Sequence, residues 1–152
     1  MSQENVERVR SVIEDFIGGK GEFDAEGMLI KLPDEEVLHP EIEWDASETP
    51  VLDISGVYRG IEAVREYWRV WLAAWEVLPY DFEVLDAGDR VVALFGHQRM
   101  RGRSTGIEVA VPKYATVMRF RDGLCIHWKL YMSQSEALAA AGLPEQDVPA
   151  ES

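Results

Sequence analysis

From Tyr58 to Leu143 the chain lays down one order of elements: a tryptophan-studded helix, four strand-like runs and a short closing helix. Strands joined by short turns pair antiparallel, and an amphipathic helix must bury its stripe against something. The order therefore describes one curved sheet wrapped around an apolar interior, an α+β arrangement. The helix spans roughly 61–77, where Ile61, Val64, Trp68, Trp71, Leu72 and Trp75 make a continuous apolar face. Pro79 ends it. The strands fall near 80–86, 90–101, 107–121 and 124–132, jointed at Gly88-Asp89, at 102–106 between two glycines, and at Arg121-Asp122-Gly123.

The last joint suits a three-residue hairpin loop closed by a left-handed glycine. It predicts that Phe120 pairs with Leu124, Met118 with Ile126, Thr116 with Trp128 and Tyr114 with Leu130, all on one apolar face. His127 and Lys129 then point away, as surface or interface residues. Across the 102–107 turn, pairing of Arg101 with Glu108 would put Phe95 and His97 opposite Tyr114 and Pro112. A one-residue slip would turn Leu94 and Gln98 inward instead.

Upstream, Val6, Val9, Ile13, Phe16 and Ile17 form a helical stripe that begins after Ser2 and ends at Gly18-Gly19. A shorter helix is expected from Asp24 to Pro33, with one more turn over 34–38. His39-Pro40 leads into a strand through Ile42 and Trp44, followed by a loop over 46–57. A helix at 134–141 ends at Gly142, with Leu143 and Pro144 after it. With no internal repeat or linker, 1–143 is expected to be one domain and 144–152 a disordered tail.

The chain has 152 residues, enough for one domain with a core. Its net charge of −13 would repel nucleic-acid phosphates and anionic membranes, so neither is expected as a partner. Cys125 is the only cysteine, which rules out an internal disulfide. No apolar run approaches the roughly 20 residues of a membrane span, and the polar, acidic N-terminus is unlike a signal peptide. The expectation is a soluble cytoplasmic protein. Three scattered histidines without ligand spacing argue against a metal site, and nothing in the sequence calls for a cofactor.

Four segments carry a resemblance: His39-Pro-Glu-Ile-Glu-Trp44, Tyr58-Arg-Gly-Ile-Glu-Ala-Val-Arg65, Arg119-Phe-Arg-Asp-Gly123 and Glu136-Ala-Leu-Ala-Ala-Ala-Gly-Leu143. In their order and spacing, over about residues 5–143, the chain resembles the SnoaL-like branch of the ketosteroid-isomerase-like superfamily. That superfamily shares its cone-shaped fold with nuclear transport factor two. The resemblance implies a curved antiparallel sheet wrapped around N-terminal helices and one long helix, a SnoaL-like α+β barrel. It also implies a pocket for a small apolar ligand and a homodimer through the outer face of the sheet. The superfamily includes polyketide cyclases, isomerases, dehydratases, epoxide hydrolases and non-catalytic binding proteins, so the fold does not choose the function.

The isomerase members use a carboxylate base in an apolar pocket facing donors that stabilise an enolate; ketosteroid isomerase is a standard example of this pKa tuning. The base position falls nearest Asp45, for which an exposed strand-end aspartate is the plainer reading. The isomerase donor positions fall at Phe16 and near Thr116, neither a strong donor. The epoxide-hydrolase positions fall near Gln98, Met100 and Leu130, which lack its Arg and Asp groups. His97 is a second acid–base candidate, with Tyr114 as donor, or else a histidine on the dimer face. Arg99, Arg101 and Arg103 share one strand face, as an anion site or a solvated hairpin tip. Trp44, Trp68, Trp71, Thr116, Met118, Trp128 and Leu130 are the candidate pocket lining, although a tryptophan stripe is core first. Two functions follow: cofactor-free proton transfer on a carbonyl compound, as in an isomerase, cyclase or dehydratase, or a non-catalytic ligand-binding or dimerisation module.

Overall fold

The computed structural model describes residues 2–17, 38–48, 55–77, 81–111 and 113–144. The expected helix from Asp24 to Pro33 and the expected tail beyond residue 144 lie outside them. In chain order the elements are α1 (Ser2–Ile17), β1 (Leu38–Asp45), β2 (Val57–Arg59), α2 (Ile61–Ala74), β3 (Trp75–Val77), β4 (Phe82–Ala87), β5 (Arg90–Phe95), β6 (Gln98–Gly102), β7 (Glu108–Val111), β8 (Tyr114–Arg121), β9 (Leu124–Tyr131) and α3 (Gln134–Ala140). None of the described helices is long and apolar enough to cross a membrane.

Six strands form the main sheet in the order β2-β1-β9-β8-β5-β4, and β3-β6-β7 form a second. Every pairing is antiparallel except β1 with β9, which is parallel. The fold is thus the expected α+β cone, with a sheet that curves without closing into a barrel among the described residues.

Two long predicted strands each break in the middle. The run 90–101 divides at Gly96-His97 and the run 107–121 divides before Tyr114. At the break Gly96 donates its backbone N–H to the Asp81 carbonyl at 2.8 Å. A Cβ at Gly96 would stand 3.3 Å from that oxygen, so glycine permits the close approach. Beyond it, β6 leaves the main sheet and pairs with β3. The predicted helix 61–77 ends accordingly at Ala74, and Trp75 enters β3 opposite Gly102. A local preference for helix yields there to strand pairing with a distant hairpin.

The Arg101–Glu108 and Phe95–Tyr114 pairings are as predicted. The closing hairpin differs. Asp122 and Gly123 both have positive φ, 54° and 80°, which makes a tight two-residue turn rather than a three-residue loop. Arg121 pairs with Leu124, and a register shift between Arg119 and Phe120 then moves the ladder by one residue. As a result Met118 faces Trp128 and Thr116 faces Leu130. The bulge restores the alternation, so Met118, Thr116, Trp128 and Leu130 still share one buried face.

That face and the concave side of β1 and β5 hold the main core. Ile42, Trp44, Val91, Ala93, Met118, Phe120, Trp128 and Leu130 pack there with Val6 and Val9 of α1 and Val64 and Tyr67 of α2. Gly60, at φ 91°, starts α2 and donates its N–H to the Ile42 carbonyl at 2.8 Å, which fixes the helix against β1.

The opposite face is covered by the chain itself. Val92, Leu94, Ala115 and Val117 pack beneath Ala137 and Leu138 of α3. Ser133 caps α3 by accepting from the Glu136 N–H, and Gly142 with Leu143 closes its C-terminus. On the outer face of β5 and β8, α3 therefore covers these four apolar side chains. What faces outward on β2, β1 and β9 is charged: Glu43 lies 3.5 Å from Arg59 and 3.6 Å from His127.

Gln134 links α3 to the break in the sheet. Its Nε2 donates to the carbonyls of Phe95 (2.9 Å) and Tyr114 (3.1 Å), at the end of β5 and the start of β8. Gln134→Leu removes both bonds where β5 and β8 end, and is expected to cost about 1–2 kcal/mol. Urea denaturation of the variant measures it, and an unchanged midpoint would show that water replaces the amide.

Candidate aromatic binding site

Strand parity places the aromatic side chains. On β1, Leu38, Ile42 and Trp44 are buried, as is Ala46 just beyond it, while Glu43 and Asp45 fall on the other face. Trp44 is the Cα partner of Tyr58 on one side and of Trp128 on the other, and Trp128 is the partner of Met118. From α2, Tyr67 and Trp68 reach the same place, with Trp71 one turn further along. Trp44 and Trp128 ring centroids lie 4.5 Å apart, and Trp68 lies 5.8 Å from each. Tyr67 meets Trp44 edge-on at 5.5 Å, Tyr58 meets Tyr67 at 5.1 Å, and Trp71 meets Trp68 at 5.9 Å. These are the offset and edge-to-face spacings that aromatic quadrupoles favour.

The fold thus gathers the seven predicted lining residues. Trp44, Trp68, Trp71 and Trp128 are in ring contact, Met118 sits against Trp128 in register, and Thr116 and Leu130 follow two residues along the same face. Tyr67, 4 % exposed, belongs to this cluster and was missed. Its spacing of three from Val64 puts it on the buried stripe, a signal overshadowed by the tryptophans.

The acid–base candidates are not brought together. Asp45 lies on the face opposite Trp44, where Lys129 Nζ donates to Oδ2 at 3.2 Å. Ser47 gives Oδ1 its N–H at 3.0 Å and its hydroxyl at 2.6 Å. Burial alone would raise the Asp45 pKa, but the bonds from Ser47 and Lys129 together outweigh it and hold the carboxyl below the ordinary range. A carboxylate so stabilised, and turned away from the aromatic interior, is poorly suited to act as a base there. The base position was placed one residue from an inward strand site, and in a strand one residue reverses the face.

His97 is exposed and lies between β5 and β6, outside any strand, because the chain bends at Gly96. Its predicted neighbour Pro112 lies outside the described residues. Tyr114 stacks its ring on Phe95 at 4.7 Å. Arg99 and Arg101 both pair with the Glu108 carboxylate, as a hairpin-tip network rather than an open anion site. Cys125 is fully buried, and burial pushes its thiol up to about 12, so it is no nucleophile.

One feature of the cluster had no sequence signal. Buried nitrogens without a hydrogen-bond partner include Trp44 Nε1, Trp128 Nε1 and Arg65 Nε. All three are donors. A buried donor left unsatisfied costs about 1–3 kcal/mol, and whether an indole N–H meets an acceptor depends on ring orientation, which spacing does not encode.

The profile of the SnoaL-like domain matches residues 7–128. No curated protein matches the chain. Among solved structures, an NTF2-like protein of Burkholderia xenovorans LB400 is 24 % identical, with 93 % of this chain and 97 % of that one covered and a TM-score of 0.62. A protein of Xanthomonas campestris pv. campestris, named provisionally as a polyketide cyclase, is 18 % identical over 92 % of this chain and 98 % of that one, with a TM-score of 0.63. TerC, co-crystallised with polyporic acid, is 15 % identical over 91 % and 98 %, with a TM-score of 0.56. The curved sheet, the helices packed into it and a profile running through nearly all of these elements agree, and the chain belongs to the SnoaL-like domain family, with the NTF2-like fold.

Proposed function

We propose that this protein binds a small, flat, largely apolar organic molecule in its aromatic interior, as a ligand-binding module. The observation that carries this reading is the convergence of Trp44, Trp68, Trp71 and Trp128, four of the five tryptophans, with Tyr58 and Tyr67 at one end of the sheet. Such rings offer large, rigid area to a planar ligand. The relatives with provisional enzyme names share the fold, and TerC was crystallised with polyporic acid; both fit a small-molecule role for this chain.

Proton transfer on a carbonyl compound, the enzyme reading, needs a base within hydrogen-bond reach of the ligand. Asp45 is held on the far face by Lys129 and Ser47, and His97 stands at an exposed bend, so the geometry favours binding over chemistry by these two residues. A homodimer remains part of the proposal, formed on the charged strip of Arg59, Glu43 and His127, since α3 covers the outer apolar patch.

The test is a titration with 9-fluorenone, a flat ketone, followed by tryptophan emission. Saturable quenching, lost when Trp68 is replaced by alanine, is the expected result. Quenching that rises linearly without saturation, as for free tryptophan, would overturn the reading.

A further inference from the structure

Among the described residues, two large apolar side chains stand exposed together on the hairpin of β6 and β7: Ile107 at 63 % and Val109 at 40 %. Val109 is the Cα partner of Met100, which is only 7 % exposed, so the two point to one face. Ile107 and Val111 join that face by alternation. The apolar side of the second sheet is therefore buried at β6 and runs out uncovered at β7. Among the described residues β7 is also the last strand of its sheet, in the order β3-β6-β7. It pairs with β6 without a shift of register, and 107–111 holds no proline and a single charge, Glu108. Arg99 and Arg101 both pair with that carboxylate. Bulges, prolines and unmatched charges are the devices that keep strand edges apart, and this edge carries none of them.

Alternation also fixes which backbone groups face outward. Gly102 donates its N–H to the Ile107 carbonyl at 2.9 Å. Positions 107, 109 and 111 thus turn their backbone toward β6, and 108 and 110 turn theirs to the open edge. We propose that this edge pairs antiparallel with the same edge of a second copy, about a twofold axis at Val109. Glu108 of each copy then exchanges backbone hydrogen bonds with Ala110 of the other, Val109 stands beside its counterpart, and Ile107 faces Val111. A register centred on Glu108 would set two carboxylates face to face. One centred on Ala110 would call on Pro112, which has no N–H. The register at Val109 avoids both and joins the two Met100–Val109 rows into one apolar stripe. The occupant is a second copy because the strand complements itself: apolar meets apolar at 107 and 111, and a neutralised charge meets alanine at 108 and 110. This contact is separate from the charged strip on β2, β1 and β9 and needs no ligand.

The test combines mass with register. At about 1 M salt the Debye length falls to roughly 3 Å, which screens the charged strip and leaves a contact of apolar side chains and backbone hydrogen bonds. Light scattering there is expected to find the parent a dimer and Val109→Lys a monomer, half its mass. Single cysteines introduced at 107, 109 and 110 are then oxidised; Cys125 is fully buried and stays out of the exchange. Val109→Cys is expected to give a disulfide-linked dimer on a non-reducing gel, because a residue on the axis faces itself within the Cα span of about 4.4–6.8 Å that a disulfide bridges. Ile107→Cys and Ala110→Cys lie off the axis, beyond that span, and should stay unlinked. Equal masses for the parent and Val109→Lys, or linkage no faster at 109 than at 107 and 110, would overturn the proposal. Should Val109→Lys fail to fold, the three cysteine variants decide the question alone.

Discussion

Trp44→Ala is expected to destabilise the protein by about 3–5 kcal/mol, the usual range for removing a buried aromatic ring. Domains of this size are stable by only about 5–15 kcal/mol in all, so the variant should sit near the edge of unfolding at 37 °C. Trp44 is 1 % exposed on a strand paired on both sides, and its ring touches those of Tyr67, Trp68 and Trp128. The void cannot be closed by collapse, because β1 is held between β2 and β9 and α2 is fastened to it through Gly60 and Ile42. Trp44→Phe should cost much less. It keeps a ring in the cluster and deletes a donor that had no acceptor, so part of the lost packing is offset. Urea unfolding with a fitted slope gives both values. A Trp44→Ala midpoint within about 1 kcal/mol of the parent would mean that the aromatic cluster is a loose lining and not part of the core.

Element order and facing were legible in the sequence because both follow from periodicity. Alternation along 114–121 and 124–131 put Met118, Thr116, Trp128 and Leu130 on one face, and that survives even though the turn and the pairings differ from expectation. What periodicity lacks is any record of where a strand bends or a bulge inserts. Gly96 reads as an ordinary strand glycine until the Asp81 carbonyl, just before the paired strand β4, stands close beside it. Trp75 reads as the last turn of a helix until β6 offers it a partner. The site follows the same division. Apolar spacing put Trp44, Trp68, Trp71 and Trp128 on faces that meet, whereas the facing of Asp45 and the position of His97 depended on a parity and a bend fixed by tertiary contacts. The orphaned indole donors depend on ring orientation and so became visible only in three dimensions.

Asp45→Asn should separate a structural carboxylate from a functional one. Asp45 and Lys129 are Cα partners on β1 and β9, their side chains are 17 % and 25 % exposed, and the pair is closed by Ser47. Losing the charge leaves Lys129 half-buried with a weaker acceptor, at an expected cost of about 1–2 kcal/mol near neutral pH. Lys129→Met should cost a similar amount. The double variant should cost less than the sum, since neither partner is then left uncompensated. The pH dependence follows from the direction of each shift. The Asp45 carboxyl is held below its ordinary pKa of about 4, so its contribution is complete above roughly pH 5 and is lost as pH falls through the lowered value. For Lys129, burial works against the charge, but the bond to Asp45 and its field prevail and raise the pKa. Its contribution is complete below the ordinary value of about 10 and is lost as pH rises through the raised one. The pair therefore stabilises the fold across the range between, and Asp45→Asn should flatten the acid limb of the stability profile. Fluorenone affinity should stay within about twofold of the parent, because the carboxylate lies across the sheet from the tryptophans and a twofold change is only about 0.4 kcal/mol. A variant of unchanged stability that loses ligand binding would instead place Asp45 at the site, and the strand parity of β1 would have to be reversed to accommodate it.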